Sequence, residues 1–217
     1  MKSAIFLKST VLLSLFWTAV QADSAIHGFL LYGVSDIRGV DLINENTELN
    51  RLQDEPQSVP GLAISFGHEF DRLPVQLELE YLLRYRFDVD SISVESSPRL
   101  FRIDIETHGL YLNGMYIKSL NPRWKATLGG GVGYLYHRLD TELLQGINNP
   151  RVDNSQTALG WHVTAGLSKI LNNRWQINFR YRYSDLGSVR SEPDLLGRLD
   201  AHKYYSHDLL FGLSYRL

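Results

Sequence analysis

The sequence predicts an all-β fold: an eight-stranded antiparallel up-and-down transmembrane β-barrel. Three observations carry that expectation. Apolar residues recur at every second position in segment after segment, the connections between these segments alternate between short and long, and no later stretch shows a helical period or a long unbroken apolar run. Side chains alternate between the two faces of a strand, so period two is the signature of a sheet with unlike faces.

The segments follow in order. His27–Val34 (HGFLLYGV) alternates only loosely. In Leu62–Phe70, the residues Leu62, Ile64, Phe66 and Phe70 oppose Ala63, Ser65, Gly67 and Glu69. Val75–Phe87 (VQLELEYLLRYRF) sets Val75, Leu77, Leu79, Tyr81, Leu83, Tyr85 and Phe87 against Gln76, Glu78, Glu80, Arg84 and Arg86. The fourth segment, 101–117, opens with Phe101, Ile103 and Ile105 against Arg102, Asp104 and Glu106, then changes phase near Thr107–Gly109, where a bulge is expected. Trp124–Tyr136 places Trp124, Ala126, Leu128, Val132, Tyr134 and Tyr136 opposite Lys125, Thr127, Gly129, Gly131 and Gly133. Leu159–Ser168 and Trp175–Ser184 alternate without interruption, the second with Arg180 and Arg182 on its polar side. The last, His207–Leu217, has Leu209, Phe211, Leu213, Tyr215 and Leu217 as its apolar face.

Tight links at 71–74, 119–123 and 171–174 carry Pro or Asn turn chemistry. Between them lie long links at about 36–58, 88–99, 138–156 and 185–202. Short turns on one rim and long loops on the other describe an up-and-down barrel.

The N-terminus places Lys2 and Lys8 before an apolar stretch, Val11–Val20, and a small-residue ending at Ala22, which reads as a secretory signal peptide over 1–22 with the barrel at 23–217. There is no cysteine, so disulfides contribute nothing to stability. A net charge of -2 lacks the basic footprint of a nucleic-acid binder, and no DNA or RNA partner is expected.

Alternation alone does not say which face meets solvent, since a soluble barrel alternates with its apolar face inward. Export, small glycines on the polar faces and aromatics near strand ends all favour lipid outside and charge inside. The lumen is then expected to hold a self-paired charge network of Glu69, Glu78, Glu80 and Asp208 with Arg84, Arg86, Lys125, Arg180, Arg182 and Arg216. With eight strands such an interior is filled by side chains, so no wide aqueous channel is expected.

The eight segments, with GGGVGYLY in the fifth, WQINFRYRYSDLG across the seventh and the terminal LLFGLSYRL, resemble the small outer-membrane barrels of Gram-negative bacteria, of the opacity-protein and OmpA transmembrane-domain type. The resemblance implies an outer-membrane location, contact with outer-membrane lipid and lipopolysaccharide, recognition of the C-terminal strand by the barrel assembly machinery, and a monomer. In that family the final residue is typically Phe; here it is Leu217. Only the barrel is expected, without the peptidoglycan-binding domain of full-length OmpA proteins. Such barrels commonly act through their surface loops in adhesion or host contact, and others serve as structural components or narrow pores.

Enzymatic chemistry finds little support. Ser206, His207 and Asp208 are adjacent, and on a strand the histidine points away from its neighbours. The outer-membrane deacylases share a His-x-Ser pair, which this sequence lacks. His162 and Thr164 share one face and are expected to be hydrogen-bonded lumen residues. LGGGVG lies within a strand and opens no helix, so it fails as a dinucleotide loop. The histidines have no zinc-like spacing, and neither metal nor cofactor is expected. The loops are the remaining candidate site: 36–58 carries Asp36, Asp41, Glu45, Glu48, Asp54 and Glu55, and the third loop offers Leu143 and Leu144 as an apolar tip.

Overall fold

The structure is a computed structural model that describes residues 24–44, 47–49, 57–70, 72–92, 100–144, 151–190 and 198–217. The signal peptide and its cleavage point lie outside the described residues, as do positions 45, 46 and 50–56 of the first long link.

Eight long strands form the wall: β1 (Ser24–Asn44), β2 (Gln57–Glu69), β3 (Val75–Ile92), β4 (Leu100–Asn121), β5 (Trp124–Leu144), β6 (Arg151–Ile170), β7 (Trp175–Asp185) and β8 (Arg198–Arg216). Each pairs antiparallel with its sequence neighbours, and β1 pairs with β8 from Ala25↔Arg216 to Ile43↔Arg198, which closes the sheet on itself. Two short strands, Thr47–Leu49 on β1 and Val189–Arg190 on β8, extend the ladder at the long-loop end. Closure leaves no sheet edge through the body of the barrel, as hydrocarbon surroundings demand of every backbone donor and acceptor.

The outer face is apolar. Leu159 is 78% exposed, Leu30 65% and Val132 65%, with Leu79, Leu112, Leu128 and Phe211 about the wall between them. A soluble monomer does not display a continuous belt of this kind. Aromatic residues fringe both margins: Tyr116, Trp124 and Trp175 toward the short turns, and Tyr32, Tyr81, Tyr136 and Trp161 toward the long loops. Such paired girdles sit at the two membrane interfaces.

Two short turns share one device. Asn121 Oδ1 accepts from the backbone N–H of Arg123 and of Trp124, at 2.9 and 3.0 Å. Asn172 Oδ1 accepts in the same way from Arg174 and Trp175, at 2.9 and 2.8 Å. The sequences behind them, LNPRW and LNNRW, are nearly a repeat. An Asn side chain that bonds the backbone two and three residues on reverses the chain and presents Arg and Trp at the same places each time.

The wall departs from expectation in three ways. First, β4 holds one phase from Ile105 through Thr107, Gly109 and Tyr111, all buried, so there is no slip within it. The irregularity lies on its partner: Arg84 pairs with Thr107 but Phe87 with Ile105, which inserts one extra residue into β3. Second, the long links are shorter than expected. The ladder runs on through 36–44 of β1 and 138–144 of β5, so Leu143 and Leu144 belong to paired backbone rather than a loop tip, and their side chains lie outside the description. Third, the lumen is not purely polar. Leu82, Ile105, Leu135, Leu139, Leu186 and Tyr204 are at most 2% exposed and form an apolar layer inside the surface-side end.

Candidate functional site

Period-two strands leave a narrow lumen, and its contents decide what can pass. The polar side of β3 carries Gln76, Glu78, Glu80, Leu82 and Arg84 in order from the short-turn end, all buried. These positions order the charges into a ladder. At the bottom, Lys125 Nζ on β5 donates to both carboxylate oxygens of Glu69 on β2, at 3.0 and 2.8 Å. Above it, Arg180 on β7 meets Glu78 through two bonds of 2.9 and 2.7 Å. Next, Arg182 meets Glu80 through two bonds of 2.7 Å. Highest in the ladder, Arg84 donates to Asp208 Oδ1 on β8 at 2.6 Å and to Ser35 Oγ on β1 at 2.8 Å, while Ser206 Oγ donates to the same Asp208 oxygen.

β3 and β7 stand four strands apart in an eight-strand ring, so the Arg180–Glu78 and Arg182–Glu80 pairs cross the full width of the lumen. Two parallel N–H···O bonds per pair fix each guanidinium plane against its carboxylate. Arg180 also lies 4.7 Å from the centroid of the Phe29 ring, which fills the space beside it. Glycines make room for these long side chains: a Cβ on Gly33 would fall 1.9 Å from Asp208 Oδ1, and one on Gly133 would fall 2.4 Å from the Tyr111 ring.

Eight of the ten expected lumen charges therefore pair off inside the barrel, and two lie elsewhere. Arg86 sits in the β3 bulge, and its side chain is 39% exposed at the surface-side mouth, where it bridges Asp104 and the buried Asp140. The extra residue after Arg84 takes it out of the inward phase. Arg216 keeps the inward phase of β8 but is exposed, because the strand ends there and the rim is open.

His162 and Thr164 both face inward, as expected. Thr164 Oγ1 donates to the Tyr181 carbonyl at 2.9 Å, whereas neither ring nitrogen of His162 has a hydrogen-bond partner; its ring packs on Tyr111 at 4.9 Å between centroids. Ser206 and Asp208 point inward while His207 points out and bonds the Tyr181 hydroxyl at 2.7 Å, so the three do not converge. Among the described residues no group of three or more His, Asp or Glu side chains is placed to hold a metal ion.

Sequence reasoning missed Asp104 and Asp140 as the partners of Arg86, because Asp104 read as a polar-face residue of the fourth segment, Asp140 as a loop residue and Arg86 as a lumen charge. It also missed the inward His27, which shares hydrogen bonds with Gln76 Nε2 (3.0 Å) and Ser214 Oγ, since β1 alternates only loosely.

A closed antiparallel barrel with a lipid-facing belt and a plugged lumen now has a counterpart in sequence. The family model described as outer membrane protein beta-barrel domain matches residues 9–216. The chain belongs to that family. Outer-membrane barrels of solved structure share its fold. Neisserial surface protein A aligns with a TM-score of 0.55 at 13% identity, covering 89% of this chain and 97% of its own. OprG of Pseudomonas aeruginosa gives 0.54 at 15% identity, over 90% of this chain and 96% of its own. The outer membrane protease OmpT of Escherichia coli gives 0.51 at 8% identity, over 90% and 97%. No curated relative matches the chain. A surface protein, an outer membrane protein and a protease share this architecture, so the outer-membrane barrel fold places the chain without choosing its role.

Proposed function

We propose that this barrel is a non-conducting scaffold, exported by a cleaved signal peptide, that presents its surface-side strands and loops for contact with another cell or a host surface. One observation carries the reading: the lumen is bridged wall to wall by Arg180–Glu78 and Arg182–Glu80 and roofed by the apolar layer around Leu135 and Leu139. A hydrated ion would have to displace paired charges and then cross a layer filled by Leu135, Leu139 and Leu186 with the buried His137 and Thr107 among them, so transport is disfavoured against display.

The height of the wall supports the same reading. β5 has 21 residues. At about 3.3 Å per residue and a tilt of about 40° it rises about 50 Å along the axis, against an apolar band of about 25 Å. Roughly half of that strand stands beyond the hydrocarbon. Loops carried by a rigid scaffold are where binding residues usually sit. In this reading the belt contacts outer-membrane lipid and lipopolysaccharide, and the alternating β8 is the strand read by the assembly machinery.

Two measurements test it. Purified protein in planar bilayers is expected to give no stable single-channel openings; regular openings would favour a narrow pore instead. Cells displaying the barrel with the 45–56 segment removed are expected to lose adherence to the surface that the intact barrel binds, and unchanged adherence would refute the contact role.

A further inference from the structure

The formal charge of -2 conceals an axial separation. The positions 36–55, 88–106, 138–153 and 185–203 hold eighteen acidic and nine basic residues, so the surface-side end is acidic. The short-turn rim is the reverse. Arg72, Lys118, Arg123, Lys169, Arg174 and Arg216 are all exposed there. Among the described residues their acidic company is thin, for Glu69 already holds Lys125 through both oxygens, and Asp71 lies outside the described residues.

Inside this rim the lumen opens into a cavity of about 250 Å³. Lys125, Arg174, Arg180 and Arg216 line it together with Glu69, Thr127 and Trp175. Lys125 and Arg180 are each held by a carboxylate, which leaves Arg174 and Arg216 as surplus cations at the mouth. Among the described residues Arg174 makes one side-chain hydrogen bond, from Nη1 to the Tyr215 hydroxyl at 3.1 Å, and that neutral partner leaves its charge unmatched by any of them.

We propose that this cavity binds a phosphate or carboxylate oxyanion, held by the Arg174 and Arg216 guanidiniums. Planar guanidiniums recognise such groups through paired N–H donors, and a partly enclosed site strengthens the attraction over that of an open surface. The anion can come from a soluble small molecule or from a phospholipid headgroup at the short-turn side of the membrane; the chemistry of recognition is common to both.

The test is a titration of inorganic phosphate into the detergent-solubilised full-length barrel, followed through the NMR signal of the Trp175 indole N–H, which reports from the cavity wall. A saturable shift is expected. The variant R174Q/R216Q should weaken it at least tenfold. R72Q/R123Q, which removes equal charge from neighbouring turns, should leave it within about twofold. Heat-dependent gel mobility verifies that each variant is a closed barrel. In a second arm the protein is reconstituted into zwitterionic vesicles with or without phosphatidylglycerol. A shift that requires phosphatidylglycerol and is lost in R174Q/R216Q assigns the oxyanion to a headgroup and upholds the site. Equal loss in the two double variants would reduce the effect to diffuse rim attraction and overturn the proposal. Absence of any shift with either source would overturn it as well.

Discussion

Glu80 and Arg182 have side chains with no exposure at all, and among the described residues each is the other's only full countercharge within bonding distance. Removing one member of such a pair leaves a buried charge alone, which typically costs about 3–5 kcal/mol, whereas replacing both by apolar residues of similar volume is often close to neutral. Glu80→Leu is therefore expected to lower the denaturant midpoint of the barrel in vesicles sharply, and the double variant Glu80→Leu with Arg182→Met to recover most of the loss. A double variant no more stable than the single one would show that the ladder, not the pair, is the unit. The acids and bases of this ladder were legible in the sequence, because period two assigns Glu78, Glu80, Arg180 and Arg182 to one face. Their partners were not. Which arginine reaches which carboxylate depends on the diameter and stagger of the closed ring, and β7 meets β3 only across the lumen. Arg86 was misplaced for a related reason: alternation read through Tyr85 and Arg86 cannot reveal the extra residue that breaks it.

Strands were the most legible element. The outward set Leu77, Leu79 and Tyr81 is exposed at 45%, 49% and 45%, and the inward set between them is buried. Turning that face to its alternative would put arginines into hydrocarbon at about 2–4 kcal/mol each near mid-depth. The same scale predicts that Leu79→Arg destabilises the folded barrel by about 2–4 kcal/mol in vesicle unfolding, while Ser155→Arg, exposed well toward the surface side, changes it by less than about 1 kcal/mol. The short turns have their own stake. Asn172→Ala removes both side-chain bonds to the turn backbone and is expected to cost about 1–2 kcal/mol, with Asn172→Asp, which keeps the acceptor, nearly silent. Least legible was the apolar lumen layer. Ile105, Leu135 and Leu139 are as hydrophobic as any belt residue, and composition cannot distinguish a lipid-facing leucine from one that fills a barrel. The expected slip near Thr107 arose from that ambiguity: β4 did not change phase, its surroundings did.

At the scale of the whole molecule the two solvents trade places, with oil outside and ions within. Spin labels at Leu79 and Phe179 are expected to collide with lipid-soluble oxygen, and labels at Glu80 and Arg180 to be shielded from it; the opposite pattern would invert the barrel. The pairing of β1 with β8 carries a further consequence for how the molecule comes into being. β1 and β8 come first and last in the chain order of the ring, and each is the other's lateral neighbour over nearly its whole length. Until β8 is in place, β1 has one edge without a partner and a sticky margin on show. All eight strands must therefore be kept from aggregating before the first stable ring exists, and the speed of its maturation is set by a meeting between the two strands farthest apart in sequence.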